Sequence, residues 1–329
     1  MTEPSRVPRV LFVIPGESEG SNMIFARRQL AVLRRLGVPV DSFFLRSRVS
    51  PAVLLSERGR FRKQIRAFRP DVVHAQFGTM TAFFAIASSP VPVVITYRGS
   101  DLNPAPSVCW IRWATGVLLS QISALRARRI VCVSRELLGR LWWRSAVATV
   151  IPSGVDTSIF YPRGRDEARA TLGWNSADRV ILFSAGSSPK VKRIDLAERV
   201  VNVVRRTLPD VRFVVLDGTA APAEMPLFLN AADCLLITSD YEGSPCIIQE
   251  ALACNLPIVT VEVGDVRERL EGVSSSSIVQ RDPEALGTAV VGALQRRERT
   301  NGHAIVQKIS FDANALTLLN VYREAVCRS

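Results

Sequence analysis

Histidine is nearly absent from this chain: His74 and His303 are the only two in 329 residues. Two imidazoles make a histidine-rich metal centre or a Ser-His-Asp relay hard to build. No Asp-x-Asp pair occurs, so the sequence offers no paired-carboxylate seat for a cation, and neither a metal nor a cofactor is expected. The six cysteines, Cys109, Cys132, Cys234, Cys246, Cys254 and Cys327, form no Cys-x-x-Cys pair. Reduced thiols are therefore expected in preference to disulfides or metal ligands. No apolar run reaches the roughly 18–20 residues of a spanning helix. The opening MTEPSRVPRVLFVIPG holds too short an apolar stretch for a secretory leader and reads as a buried first strand. The expected location is cytoplasmic, at most peripheral at the inner face of a membrane.

Acidic residues are scarce in one half only. Residues 1–163 hold 23 Lys and Arg against 9 Asp and Glu, a net +14, and the remainder 19 against 21, a net −2, so the first half carries the entire basic excess behind the net charge of +12. Such asymmetry suits an anionic partner, whether a membrane surface, a nucleic acid or a phosphorylated substrate, or else a solubilising surface. No interleaving of basic and aromatic residues supports nucleic-acid stacking, and no nucleic acid is expected. In Arg58–Arg69, Phe61, Ile65 and Phe68 fall on one helical face among cations. That pattern fits a basic helix lying on anionic lipid, or a packed helix with a solvated basic face.

What is present is apolar: 47% of residues are hydrophobic, enough for packed cores, and the length suggests two domains. Unalternating apolar runs at Val10–Ile14, Val72–His74, Val93–Thr96, Ile130–Val133 and Thr149–Ile151 alternate with helical stretches, the first about Asn22–Leu36 and ended by Gly37. The plan repeats with strands at Val180–Ser184, Val211–Leu216, Cys234–Thr238 and Pro257–Val261. Helices are expected at Asp195–Thr207, Met225–Ala231, Pro245–Cys254 and Asp312–Cys327, with a loop at Ser274–Ser277. This is an α/β pattern of two doubly wound parallel sheets. The expected division is 1–162, 163–311 and a last helix, 312–329, packing back on the first domain. Two such domains are expected to face each other, with ligands bound beyond the carboxyl ends of the strands.

The strongest local signal is Ser239-Asp-Tyr-Glu242-Gly243-Ser244-Pro245-Cys246-Ile247-Ile-Gln-Glu250-Ala251. It follows a strand and opens a helix, with Ser244 a candidate N-cap and Pro245 suited to the first helical position. A helix N-terminus presents backbone N–H groups and a positive dipole end to an anion or hydroxyl. Glu242 before the helix and Glu250 within it can bond different hydroxyls of one extended ligand. A second signal is Gly186-Ser-Ser-Pro-Lys190-Val-Lys192-Arg193-Ile-Asp195, where cations beneath a glycine turn suit a diphosphate.

The first segment resembles the E-x7-E motif of glycosyltransferase family 4, a family of retaining GT-B enzymes. Glu250-Ala-Leu-Ala-Cys-Asn-Leu-Pro257-Ile-Val and Val263-Gly-Asp-Val-Arg-Glu268 continue the likeness. The resemblance implies that Glu242 contacts the transferred sugar, Glu250 the ribose, and the amides of Gly243, Ser244, Cys246 and Ile247 the sugar or phosphates. Pro245 has no N–H to donate. Gly186 to Asp195 resembles the family's GRLxxxKGxD, with Lys192 in the Lys position. Ser187 stands where the family has Arg, leaving Lys190 or Arg193 to compensate, although neither Lys nor a displaced Arg reproduces that fork.

Weaker likenesses cover the first half. Gly20-Ser21 falls where the family carries paired glycines near the donor. Asp71-Val-Val-His74 matches a DVVH segment, which places His74 on the acceptor side, although a lone strand-end histidine is more often simply satisfied in a core. Thr96-Tyr-Arg98-Gly-Ser-Asp101 resembles T-x-H-G-x-D, with Arg98 in place of His. Arg98 can bind an oxygen but not carry a proton, and Asp101 is expected to orient it.

The resemblance implies a hexosyltransferase using a nucleotide-sugar donor and a glycan or lipid-linked acceptor, with retention, in surface polysaccharide or glycolipid assembly. The alternatives are an inactive GT-B binding partner and a nucleotide-sugar epimerase. Expected catalytic residues are Glu242, Lys192, Arg98 and Asp101. The donor would be held by Glu250, Gly243, Ser244, Cys246, Ile247, Gly186, Lys190, Arg193, Gly20 and Ser21.

Overall fold

The computed structural model describes residues 6–18, 23–104, 109–186 and 189–327. Six parallel strands build the first sheet: β1 (Val10–Pro15), β2 (Val40–Leu45), β3 (Val72–Ala75), β4 (Val93–Tyr97), β5 (Arg129–Cys132) and β6 (Ala148–Val150), in the order β2-β1-β3-β4-β5-β6. Five more build the second: β7 (Val180–Ser184), β8 (Arg212–Leu216), β9 (Cys234–Ile237), β10 (Ile258–Val261) and β11 (Ser277–Val279), in the order β11-β10-β9-β7-β8, again parallel. Central strands such as β1, β3 and β9 are buried at every position. Helices cover both faces, so an unbroken apolar run is the pattern these strands require.

The first sheet is flanked by α1 (Ile24–Arg35), α2 (Pro51–Phe68), α3 (Thr79–Ser88) and α4 (Trp110–Arg126). Helix α1 ends where Gly37 takes a left-handed φ of 74°, a conformation glycine adopts without a Cβ penalty. On α2, Phe61 and Ile65 are buried in the core and Phe68 packs against it. The apolar face of Phe61, Ile65 and Phe68 that the sequence offered to a lipid surface is therefore spent on the fold, and beyond the exposed Val53 and Leu55 at its start α2 turns mainly polar and basic residues to solvent. Among the described residues, no helix is long and apolar enough to cross a membrane.

The chain divides after Ser153 and again after Ser310. The first boundary falls earlier than the expected 162/163 because Val155 and Phe160 are buried in the core of the second sheet, and Val155 bridges Ser310. The last helix, Phe311–Val326, belongs to the first unit. Its Leu318, Val321, Tyr322 and Ala325 share a core with Val10, Phe12 and Leu33, and Asn314 Nδ2 donates to Pro152 O at 2.8 Å. Ser277, expected in a loop, instead opens β11 on the sheet edge.

Candidate functional site

In a doubly wound sheet, ligands bind where neighbouring strands send their connections in opposite directions. In the second sheet that point lies between β7 and β9. Beyond β7, Gly186 has φ 50°, a single helical turn spans Pro189–Lys192, and Arg193 at φ 58° breaks the chain before the helix Ile194–Thr207. The strand-end loops are stitched together. Thr238 Oγ1 donates to Lys192 O at 2.7 Å, and Asp240 N donates to Val191 O at 2.9 Å. This stitching brings Lys192 Nζ into an ion pair with Glu242 Oε1, both side chains partly buried.

Arg193, expected to help hold the donor, is occupied otherwise. Its guanidinium forks onto Asp195 at 2.8 and 2.9 Å and reaches Asp240 at 3.0 Å. Those hydrogen bonds, Asp195 first, raise its pKa and hold it charged, so it braces the loop. Lys190 is exposed at the turn, while Ser187, like Gly20 and Ser21, lies outside the described residues. Arg281 was not legible as a site residue. It donates to Thr238 O and Ser239 O, each at 2.7 Å, fixing the loop that leads to Glu242 from a position 41 residues later than Asp240.

The helix after this loop spans Cys246–Ala253, with Pro245 rather than Ser244 at the N-cap and no side-chain cap. Ser244 Oγ instead donates to Asp265 Oδ2 at 2.8 Å and accepts from Gln249 Nε2 at 3.0 Å. A buried carboxylate oxygen is the stronger partner and draws the hydroxyl away from the helix end. Cys246 and Ile247 open the first turn of this helix. Glu250 is buried one turn further on. Gly264 lies directly against this loop at φ 55°: a Cβ there would meet Gly243 O at 2.9 Å and Glu242 O at 3.2 Å. The turn after β10 is thus packed backbone to backbone against the residues expected to hold the sugar.

Burial raises the Asp265 pKa to about 6, against the pull of Arg269, whose Nε lies 3.0 Å away. A carboxyl that holds its proton more tightly folded than unfolded loses stability as pH rises through that interval. Unfolding free energy measured from pH 4 to pH 7 should therefore fall by an amount on the order of 2 kcal/mol through this group. Asp265→Asn should flatten that part of the profile; an unchanged slope would remove Asp265 from the account.

In the first unit, Arg98 follows β4. Its Nε donates to Gln76 O at 3.1 Å, Nη2 bonds Gln76 Oε1, and the guanidinium sits 4.1 Å over the Phe25 ring. Asp101 does not orient that guanidinium. It is fully buried and accepts from the backbone N–H groups of Arg98 and Gly99, at 3.0 and 2.8 Å, and of Gly78 at 3.0 Å. It splices the turn after β4 to the turn after β3, and at zero exposure it cannot meet a substrate. Gly78 is required beside it, since a Cβ would come within 2.8 Å of Asp101 Cβ and 2.9 Å of Tyr97 Cε1.

His74 is likewise not on an acceptor surface. It is fully buried, with Nε2 2.7 Å from Thr96 Oγ1 and Nδ1 2.7 Å from the Tyr322 hydroxyl. Because Gln76 gives its oxygen to Arg98, its Nε2 faces His74 Nδ1 at 3.1 Å. This makes Nδ1 the acceptor and leaves Nε2–H to donate to Thr96. Burial, then Arg98, holds the His74 pKa well below its ordinary value, so the ring stays neutral. The strand-end histidine is a core lock on the returning helix.

The family model described as Glycosyltransferase Family 4 matches residues 15–159, and that described as Glycosyl transferases group 1 matches residues 178–296. The chain belongs to glycosyltransferase family 4. It is 28% identical over 214 residues to D-inositol 3-phosphate glycosyltransferase of Segniliparus rotundus, a match covering 54% of this chain and 47% of that protein. The chain thus spans about half the length of that curated relative. It is 26% identical over 290 residues to the putative teichuronic acid biosynthesis glycosyltransferase TuaC of Bacillus subtilis, covering 78% of this chain and 71% of the other. Anabaena HepE, solved in complex with UDP, shares the fold at a TM-score of 0.72 and 16% identity, over 95% of this chain and 98% of that one. Two parallel Rossmann-like sheets in one chain are the GT-B architecture of this family.

Proposed function

We propose that this family 4 chain transfers a hexose-type sugar from a nucleotide-sugar donor to a glycan or lipid-linked acceptor, with retention of anomeric configuration. The observation that carries the proposal is the ion pair of Lys192 and Glu242 at the β7/β9 switch point. In a donor complex, Lys192 exchanges Glu242 for the diphosphate and neutralises the charge that develops as the sugar leaves. Glu242, released, bonds hydroxyls of the transferred sugar, while Glu250 bonds the ribose and the amides of Gly243, Cys246 and Ile247 take phosphate or sugar oxygens. Gly186 lets the backbone approach the donor. None of these carboxylates is assigned as a covalent nucleophile, so the acceptor attacks on the face the diphosphate leaves, with the leaving phosphate taking its proton. Arg98 offers a fixed positive charge to an oxygen and, charged at all accessible pH, relays no proton. The cations take the part a metal would play, and turnover is expected to persist in EDTA.

The UDP complex of HepE and the naming of TuaC for teichuronic acid support a nucleoside-diphosphate-sugar donor and a surface-polysaccharide acceptor at the cytoplasmic face of a membrane. The decisive measurement is thermal unfolding with UDP, GDP or ADP. A ligand at about 100 times its Kd adds roughly 2.7 kcal/mol of stability. One diphosphate should shift the wild-type midpoint, and Glu250→Ala, with its fold intact, should abolish the shift. If no diphosphate moves the wild type, the transferase reading fails.

A further inference from the structure

Helix α4 buries a mixed face and exposes an apolar one. Val117, Ser120, Gln121, Ser123 and Ala124 are buried against the first unit. On the opposite side Ile111, Leu118, Ile122 and Leu125 are 57, 48, 39 and 49% exposed, and Trp110 at the start of the helix is 72% exposed. An outer helical face of a globular domain is ordinarily polar, and a continuous exposed apolar patch marks an interaction surface. The stripe does not end with the helix. Gln121 Oε1 accepts from the backbone N–H of Trp142 at 3.1 Å, and Gln121 O from Trp143 Nε1 at 2.7 Å. These bonds set Trp142, 60% exposed, beside α4.

The charge around this stripe is predominantly positive, although Asp71 lines a cavity beside Leu125 and Arg126. Helix α4 contains Arg112 and Arg126 and no carboxylate. From Cys109 to Val155 the sole carboxylate is Glu136, which pairs with Arg140 at 3.0 Å. Arg140 O accepts from Gln121 Nε2 at 2.9 Å, and Arg144 Nη2 donates to Ala127 O at 2.9 Å, so both residues border the same helix. We propose that α4, with Trp142, is the surface on which this chain lies against an anionic bilayer. Tryptophan and branched aliphatic side chains enter the interfacial layer while the bordering arginines meet lipid phosphates. A second copy of the chain fits less well. Two α4 helices packed antiparallel would set Arg112 against Arg126 with no carboxylate on either helix to compensate. Helix α2 fits less well too, because Phe61 and Ile65 are buried and only Val53 and Leu55, near its start, are exposed at 36 and 71%.

The surface does not depend on the transfer chemistry, since vesicle binding and nucleotide binding can fail separately. Sedimentation with phosphatidylcholine vesicles, with and without phosphatidylglycerol, tests it. The wild type should pellet with the anionic vesicles, less so at high salt, and stay in solution with the neutral ones. Leu118→Glu with Ile122→Glu, both at exposed positions, should weaken binding about 100-fold while keeping the unfolding midpoint and the diphosphate-induced shift. Arg62→Gln with Arg66→Gln on α2 should bind nearly as the wild type does. Wild type indifferent to anionic vesicles would overturn the proposal, as would binding that the α2 pair removes and the α4 pair leaves intact. A dimer by light scattering, dissociated by the α4 pair and blind to vesicles, would make the stripe a self-interface instead.

Discussion

Lys192→Ala is expected to lower turnover about 10²–10³-fold, the usual cost of removing one preorganised charge from a developing anion, and to weaken nucleoside diphosphate binding with it. The loss has two parts. The substitution removes the cation, and it leaves Glu242, now without that partner, beside the entry point of an anionic donor. Glu242→Gln separates the two parts. It frees Lys192 and removes the opposing carboxylate, so diphosphate affinity should hold or rise while sugar transfer falls. The double variant should bind diphosphate better than Lys192→Ala alone. Calorimetric titration together with initial rates of transfer would read all four proteins. Unaltered diphosphate affinity in Lys192→Ala would show that the phosphates lie elsewhere.

Asp101→Ala is expected to cost about 3 kcal/mol or more of stability. It strips the acceptor from three backbone N–H groups, those of Gly78 and Gly99 buried and that of Arg98 part-buried, and each orphaned buried donor costs about 1–3 kcal/mol. Asp101→Asn should cost less, since one oxygen remains to accept. Four of the five tryptophans, Trp110, Trp113, Trp142 and Trp143, lie in the first unit, so intrinsic fluorescence during denaturant unfolding follows the transition of interest. Activity should decline only in step with the folded fraction. A stable Asp101→Ala protein that has lost turnover would return Asp101 to the chemistry from which its burial removes it.

Asp101 and Glu242 differ in how far the sequence determines their surroundings. The inner strands were legible because parallel strands covered on both faces must be apolar throughout. Two edge strands, β2 and β11, were not: Val40–Leu45 carries Asp41 and Ser42 among its first three residues, and Ser277–Val279 is only three residues long and begins with the last serine of Ser274–Ser277. Edge positions tolerate such interruptions because one side is open. Glu242, Glu250 and Lys192 stood out because they sit in short segments beside strand ends, where spacing along the chain nearly determines spacing in the fold. His74 and Asp101 were misjudged because their partners are remote or are backbone atoms. Tyr322 is 248 residues from His74, and no side-chain pattern announces an amide of Gly78. Ser244 belonged to a third class. It is a competent cap by type, diverted by a buried carboxylate 21 residues away, and such competition appears only when the partners are assembled.

The bond between His74 and Tyr322 also bears on the order in which the protein is made. The second unit, residues 154–310, is continuous in sequence and leaves the ribosome whole. The first emerges earlier but lacks a wall: Val10, Phe12 and the His74 ring wait for Leu318 and Tyr322. Folding as units normally favours the earlier segment. In this protein the earlier segment must hold an open apolar face until translation has passed Tyr322, so the later half can finish first, and slow translation lengthens the exposure of the half that carries the basic surface.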